Sequence, residues 1–145
     1  MKTTLMALMA LQYLNVPYRW GGSNTNGIDC SGLVLKVLSD VGIKLSDRTA
    51  HGLYEYCLEN GTRTSKECDS ILFFGKPERI THVAISLGIV DGEWIMVEAG
   101  GAGSNSLEMT SEELAQKDAR VRIKPVSNRK DLISSIYLPY KKVSE

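Results

Sequence analysis

The chain has 145 residues, 43% of them hydrophobic, and its 17 basic and 17 acidic side chains cancel. That length supports one domain, residues 1–145, burying roughly 70% of its unfolded surface without disulfide or metal staples. Balanced charge gives no field to gather nucleic acid or to coat an anionic membrane, and no run approaches the ~20 apolar residues of a membrane span.

The start, Lys2 followed by apolar residues to Tyr13, has the outline of a secretory signal. It lacks a small-x-small cleavage site, and Leu5, Leu8, Met9 and Gln12 carry a helical spacing into the next segment. A packed first helix is expected, with cytoplasmic synthesis and no export by this route. Asn15-Val16-Pro17 ends that periodicity, and Gly21 to Gly27 is a turn-rich loop.

The loop delivers the chain to Asp29-Cys30-Ser31-Gly32, after which Leu33, Val34, Val37, Leu38 and Val41 recur at helical spacing until Gly42. Cys30 therefore sits at a helix start, where unpaired N–H groups and the positive end of the dipole favour a thiolate. Three cysteines, Cys30, Cys57 and Cys68, form an odd set without close pair spacing, which argues against a disulfide framework or a structural zinc site. No metal and no cofactor is expected.

Ser46 to Thr49 leads into a short helix using Leu53, Cys57 and Leu58 and closed by Asn60-Gly61; Cys57 falls on its apolar stripe and His51 near its start. Ser70 to Gly75 reads as a buried strand. In the next strand, Val83, Ile85 and Leu87 face one way and His82, Ala84 and Ser86 the other, the two small residues leaving room for the Cys30 helix to approach the imidazole. Trp94 to Glu98 follows a turn at Asp91-Gly92.

That turn decides whether Glu98 can serve His82. A two-residue Asp-Gly hairpin pairs Ile85 with Glu98 and puts the carboxylate on the wrong face; a three-residue loop, Val90 to Gly92, pairs Ala84 with Glu98 and puts it on the right one. Propensity favours the first, but a working Cys–His–carboxylate set requires the second. Beyond it come a small-residue loop from Gly100 to Ser106, a capping box of Thr110 with Glu113 opening a helix to about Lys117, and closing strands at Val121–Ile123 and Ile133–Leu138.

In their order, Pro17-Tyr18-Arg19-Trp20-Gly21-Gly22, Asp29-Cys30-Ser31-Gly32 and His82-Val83-Ala84-Ile85-Ser86-Leu87-Gly88 resemble the NlpC-type family of papain-like cell-wall cysteine peptidases, over about two thirds of the chain. The resemblance implies an α+β fold with N-terminal helices packed on a central antiparallel sheet. It assigns Cys30 as nucleophile, His82 as general base and later acid, and Glu98 as orienting residue, at a position commonly His, Asn or Gln.

Tyr18, Asp29, Ser31 and Arg48 complete the oxyanion and substrate-binding set, the Tyr18 phenol beside the nucleophile and Arg48 bordering the groove. The implied substrate is a peptidoglycan stem peptide, cut between a gamma-linked D-glutamyl residue and a diamino acid. Delivery by a virion or by lysis, with virion tail proteins as partners, fits a chain without an export signal. Two other classes stay open: a thiol acyltransferase or amidase with the same set, and a non-catalytic phage structural or wall-binding module.

Overall fold

The structure is a computed structural model describing residues 4–140. Helix α1 (Leu5–Leu11) comes first, then a small hairpin of β1 (Ser23–Asn24) and β2 (Gly27–Ile28), α2 (Cys30–Asp40) and α3 (Ala50–Asn60). The chain then turns to strands: β3 (Thr62–Arg63), β4 (Ile71–Lys76), β5 (Arg79–Val90) and β6 (Glu93–Gly100). A single-turn helix at Ser104–Glu108, α4 (Ser111–Gln116), β7 (Arg120–Pro125), a turn at Val126–Asn128 and β8 (Leu132–Tyr137) complete it.

Six strands form one antiparallel sheet in the order β3-β8-β4-β5-β6-β7. The last strand thus inserts between β3 and β4 instead of closing beside β7, a non-local pairing that strand patterns leave open. The fold is α+β, with helices on one face of the sheet. Leu33, Val34, Val37 and Leu38 of α2 and Leu53 and Cys57 of α3 pack with Val83, Ile85, Val97 and Ala99 in the main core. The opposite face carries a smaller cluster of Leu72, Phe74, Ala84, Met96 and Val126.

Local rules account for the helices. Asp29 caps α2, its Oδ1 accepting from the Gly32 N–H at 2.7 Å. Gly42, with φ +96°, ends the helix: its N–H reaches the Ser39 carbonyl and that of Ile43 reaches Leu38, the paired bonds of a Schellman motif. Thr110 and Glu113 form the expected capping box on α4.

The first helix departs from its reading. Its buried face is Met6, Ala7 and Ala10, and Leu8 is exposed. The cap comes from far along the chain: buried Asp69 accepts from the N–H groups of Met6 and Ala7 at 3.3 and 2.8 Å and from the Tyr140 hydroxyl at 2.6 Å. That long-range cap fixes the rotation of a helix whose apolar residues cover more than one side.

Candidate active site

Cys30 occupies the first helical position of α2, partly exposed. The Gly32 N–H is taken by the Asp29 carboxylate and the Leu33 N–H by the Asp29 carbonyl; among the described residues nothing accepts from the N–H groups of Cys30 and Ser31. Those two donors lie at the helix start beside the sulfur. Asp29 is fully engaged in this geometry, since its Oδ2 also accepts from the Gly21 N–H at 3.0 Å and its Oδ1 from the Ser31 hydroxyl at 3.3 Å. A Cβ on Gly32 would lie 2.3 Å from the Gly22 carbonyl oxygen, so the absence of a side chain at Gly32 lets the loop press against the helix start.

The sheet side is built differently, and the turn contradicts the three-residue loop. Val90 pairs with Glu93 across a two-residue Asp91-Gly92 turn, both turn residues at positive φ (51° and 81°), as propensity favours. The correction comes farther down the ladder. Gly88 pairs with Ile95 but Ser86 with Met96, so Leu87 is an extra residue in a β-bulge, and below it Ile85 faces Val97.

The bulge slips the register by one and brings Glu98 to the level of Ala84. Gly88 absorbs it at φ +79°, and its N–H and the Trp94 indole both donate to the Ser86 hydroxyl, at 3.0 and 2.8 Å. Glu98 therefore meets His82, with Nε2 and Oε1 2.8 Å apart.

The face is also corrected. The α2 helix packs over Val83 and Ile85, while Ala84 lies in the opposite cluster and the His82 ring stands 5.6 Å from the Phe74 ring of that cluster. Ala84 and Ser86 thus make room for the second cluster and the bulge, not for α2. Cys30 meets His82 at the end of the strands instead. The segment leading to it is stitched there, Pro17 bridging Arg120 and the Tyr18 N–H donating to the Ala119 carbonyl, beside the paired ends Gly100 and Arg120.

His82 is hydrogen-bonded to Glu98 and lines the same cleft as Cys30. Burial works against an imidazolium, but the bonds and charge of these two partners outweigh it and hold His82 above its ordinary value. Burial likewise opposes ionisation of Glu98, and the bond and charge of His82, followed by those of Arg122, overcome it and keep the carboxyl below its ordinary value. With Nε2 committed to Glu98, Nδ1 is the nitrogen left for the thiol.

Arg122 was not singled out in the sequence. From β7, opposite Glu98 in the ladder, its Nε and Nη2 each lie 3.0 Å from Glu98 Oε2, and its Nη1 donates to the Asp118 carbonyl at 2.9 Å. The arginine engages one carboxylate oxygen and leaves the other to His82. Its signal was the alternation of Val121-Arg122-Ile123, usable only once β7 is known to pair with β6.

Cys30, His82, Glu98 and Tyr18 line a cleft of about 440 Å³ with Trp20, Arg122 and the Gly100 to Gly103 backbone. Tyr18 is buried, and burial, with the charges of Cys30 and Asp29, pushes its phenol upward, so it stays a hydroxyl donor. Arg19 Nη1 donates to the Ser106 and Met109 carbonyls, both at 2.6 Å, and ties the wall loop to the Tyr18 segment.

Asp29, Ser31 and Arg48 line a second depression of about 280 Å³, with Trp20 common to both. Arg48 also lies over the Tyr56 ring at 5.0 Å. His51 Nδ1 accepts from the Ile80 N–H at 3.0 Å and pins α3 to β5. Cys57 is buried, its thiol pushed up to about 12 by that burial. Among the described residues, no three His, Cys, Asp or Glu side chains converge to hold a metal ion.

A thiol at a helix start, facing an imidazole and a carboxylate carried on an antiparallel sheet, is a papain-like arrangement. The chain belongs to the NlpC/P60 family, whose sequence profile matches residues 15–124. It is 40% identical over 82 residues to the bifunctional muramidase/DL-endopeptidase CwlT of Bacillus subtilis, a match covering 54% of this chain and 25% of that one. The chain thus spans about a quarter of that relative's length.

Among solved structures, the NlpC/P60 domain of the peptidoglycan hydrolase SagA superposes with a TM-score of 0.67 at 22% identity, covering 95% of this chain and 100% of that one. RipD of Mycobacterium tuberculosis, described as a non-catalytic NlpC/P60 protein adapted to peptidoglycan binding, gives 0.62 at 21% identity, covering 94% and 98%. At these identities the likeness is one of fold.

Proposed function

We propose that the protein is a cysteine endopeptidase that cuts peptidoglycan stem peptides, at the amide between a gamma-linked D-glutamyl residue and the diamino acid after it. The observation that carries this reading is that Cys30, His82 and Glu98 line one open cleft, with His82 hydrogen-bonded to Glu98. His82 takes the thiol proton, and the sulfur attacks the amide carbon. The N–H groups of Cys30 and Ser31 and the Tyr18 hydroxyl receive the oxyanion. His82 then gives its proton to the departing amine as the C–N bond breaks, leaving a thioester on Cys30. Water, deprotonated by His82, attacks that thioester, releases the acid and restores the thiol. Glu98 fixes the ring and balances its charge.

A second reading is binding without cleavage, the role described for RipD, which shares this fold; the presence of thiol, imidazole and carboxylate in one cleft supports catalysis. Digestion of purified muropeptides separates them. Wild type is expected to release fragments whose masses place the cut after the D-glutamyl residue, and Cys30→Ala to release none, a loss of at least about a thousandfold. Equal activity of the two removes Cys30 from the mechanism, and binding without products supports the second reading. Products transferred to an added amine instead of water identify an acyltransferase. Delivery to the wall by a virion or by lysis belongs to the same proposal and is checked by locating the protein in fractionated particles and cells.

A further inference from the structure

The cleft is asymmetric about its catalytic pair, and the asymmetry bears on what leaves the site. If the reading above holds, His82 must hand its proton to the departing amine, so the amine-side part of the substrate lies beside His82 and extends away from α2. The cleft wall there is Thr81, Asn128 and Arg129. Thr81 also borders an adjoining depression of about 400 Å³ lined by Gly75, Lys76, Arg79 and Asp131. Basic side chains therefore follow one another along this arm, with Asp131 the acid among its lining residues. The depression on the α2 side is lined instead by Asp29, Ser31, Asp47, Arg48 and Thr49.

Arg129 is held in place rather than trailing in solvent. Its Nε and Nη2 donate to the two oxygens of Asp131 at 3.2 and 3.1 Å, and its guanidinium carbon lies 5.1 Å from the centre of the Phe74 ring, which itself neighbours the His82 ring. The side-on pair with Asp131 spends the Nε hydrogen and one on Nη2. Nη1 and the outer hydrogen of Nη2 remain, an edge whose geometry matches a carboxylate. Holding the guanidinium in advance lowers the ordering cost of binding such a group.

We propose that this arm is a carboxylate-recognition subsite in which Arg129 selects an amine-side residue bearing a free carboxylate, Arg79 and Lys76 adding attraction for further acidic groups. The test uses two stem-peptide analogues identical except that the amine-side residue carries a free side-chain carboxylate or its primary amide. Wild type is expected to favour the free acid by about tenfold or more in kcat/KM, chiefly through KM. In Arg129→Gln the ratio falls toward one by loss on the free acid, and Arg129→Lys, which keeps the charge without the fork, falls between.

Calorimetric binding of both analogues to the Cys30→Ala protein, with and without Arg129→Gln, reads the same preference if the wild type proves not to be a peptidase. Tighter binding of the free acid, lost with Arg129, upholds the subsite even then. Equal handling of the two analogues by wild type, or a preference that survives Arg129→Gln in folded protein, overturns it.

Discussion

The two sides of the Cys30–His82 pair are built by opposite means. On the α2 side the contacts nearest Cys30 are local, the Asp29 cap, the Gly32 contact with Gly22 and the helix itself, while Pro17 and Tyr18 anchor the segment to Arg120 and Ala119. On the sheet side, His82, Glu98 and Arg122 come from three strands, and their meeting depends on one extra residue at Leu87. A locally specified site tolerates change by degrees. A register-specified one fails as a unit, because a slip of one residue turns a side chain to the other face.

The sharpest way to break the comparison is at Glu98. Glu98→Ala removes the partner of the imidazole and takes from the half-buried Arg122 its closer carboxylate, and kcat/KM is expected to fall about a hundredfold or more. Glu98→Gln keeps an acceptor for Nε2 and is expected to lose about tenfold. Steady-state kinetics of the two variants separate orientation from charge, and equal losses contradict that separation.

Next comes the bulge. Gly88→Val forces a β-branched residue to φ +79° and sets its Cβ 3.2 Å from the Cys68 nitrogen. A destabilisation of about 1–3 kcal/mol is expected by denaturant melting, with a fall in activity beyond what the unfolded fraction explains. A stable, fully active Gly88→Val protein would show that the bulge does not set the Glu98 register.

The local side should yield least. Asp29→Ala removes the α2 cap at a cost of about 1 kcal/mol, and the helix persists on its buried face. Thermal melting checks the first point. Reaction of Cys30 with iodoacetamide, slowed but retained, checks the second.

The same division explains how much could be read from the chain. Asp29, Gly42 and the Thr110–Glu113 box announce helix ends because caps act within one turn, and the alternation of β5 announces a strand. The Asp91-Gly92 turn was also legible in propensity. What was hidden is the compensation for it: Leu87-Gly88 reads as an unbroken strand end, and only the Trp94 indole meeting the Ser86 hydroxyl reveals why the ladder shifts there. Arg122 was hidden for a related reason, since a lone arginine in a short strand acquires meaning only from its neighbour. The rotation of α1 depended on Asp69, far along the chain.

The central claim is that thiol, imidazole and carboxylate act as one coupled set, and the titration of His82 reads it most directly. The chain has two histidines, His51 and His82, so both ring signals can be followed by NMR and assigned with a His51→Gln variant. Wild-type His82 is expected to titrate above its ordinary value of about 6.5, and to move down in both Cys30→Ala and Glu98→Gln as each loses a partner that favours the imidazolium. A His82 that titrates at or below 6.5 and ignores both substitutions would contradict the account.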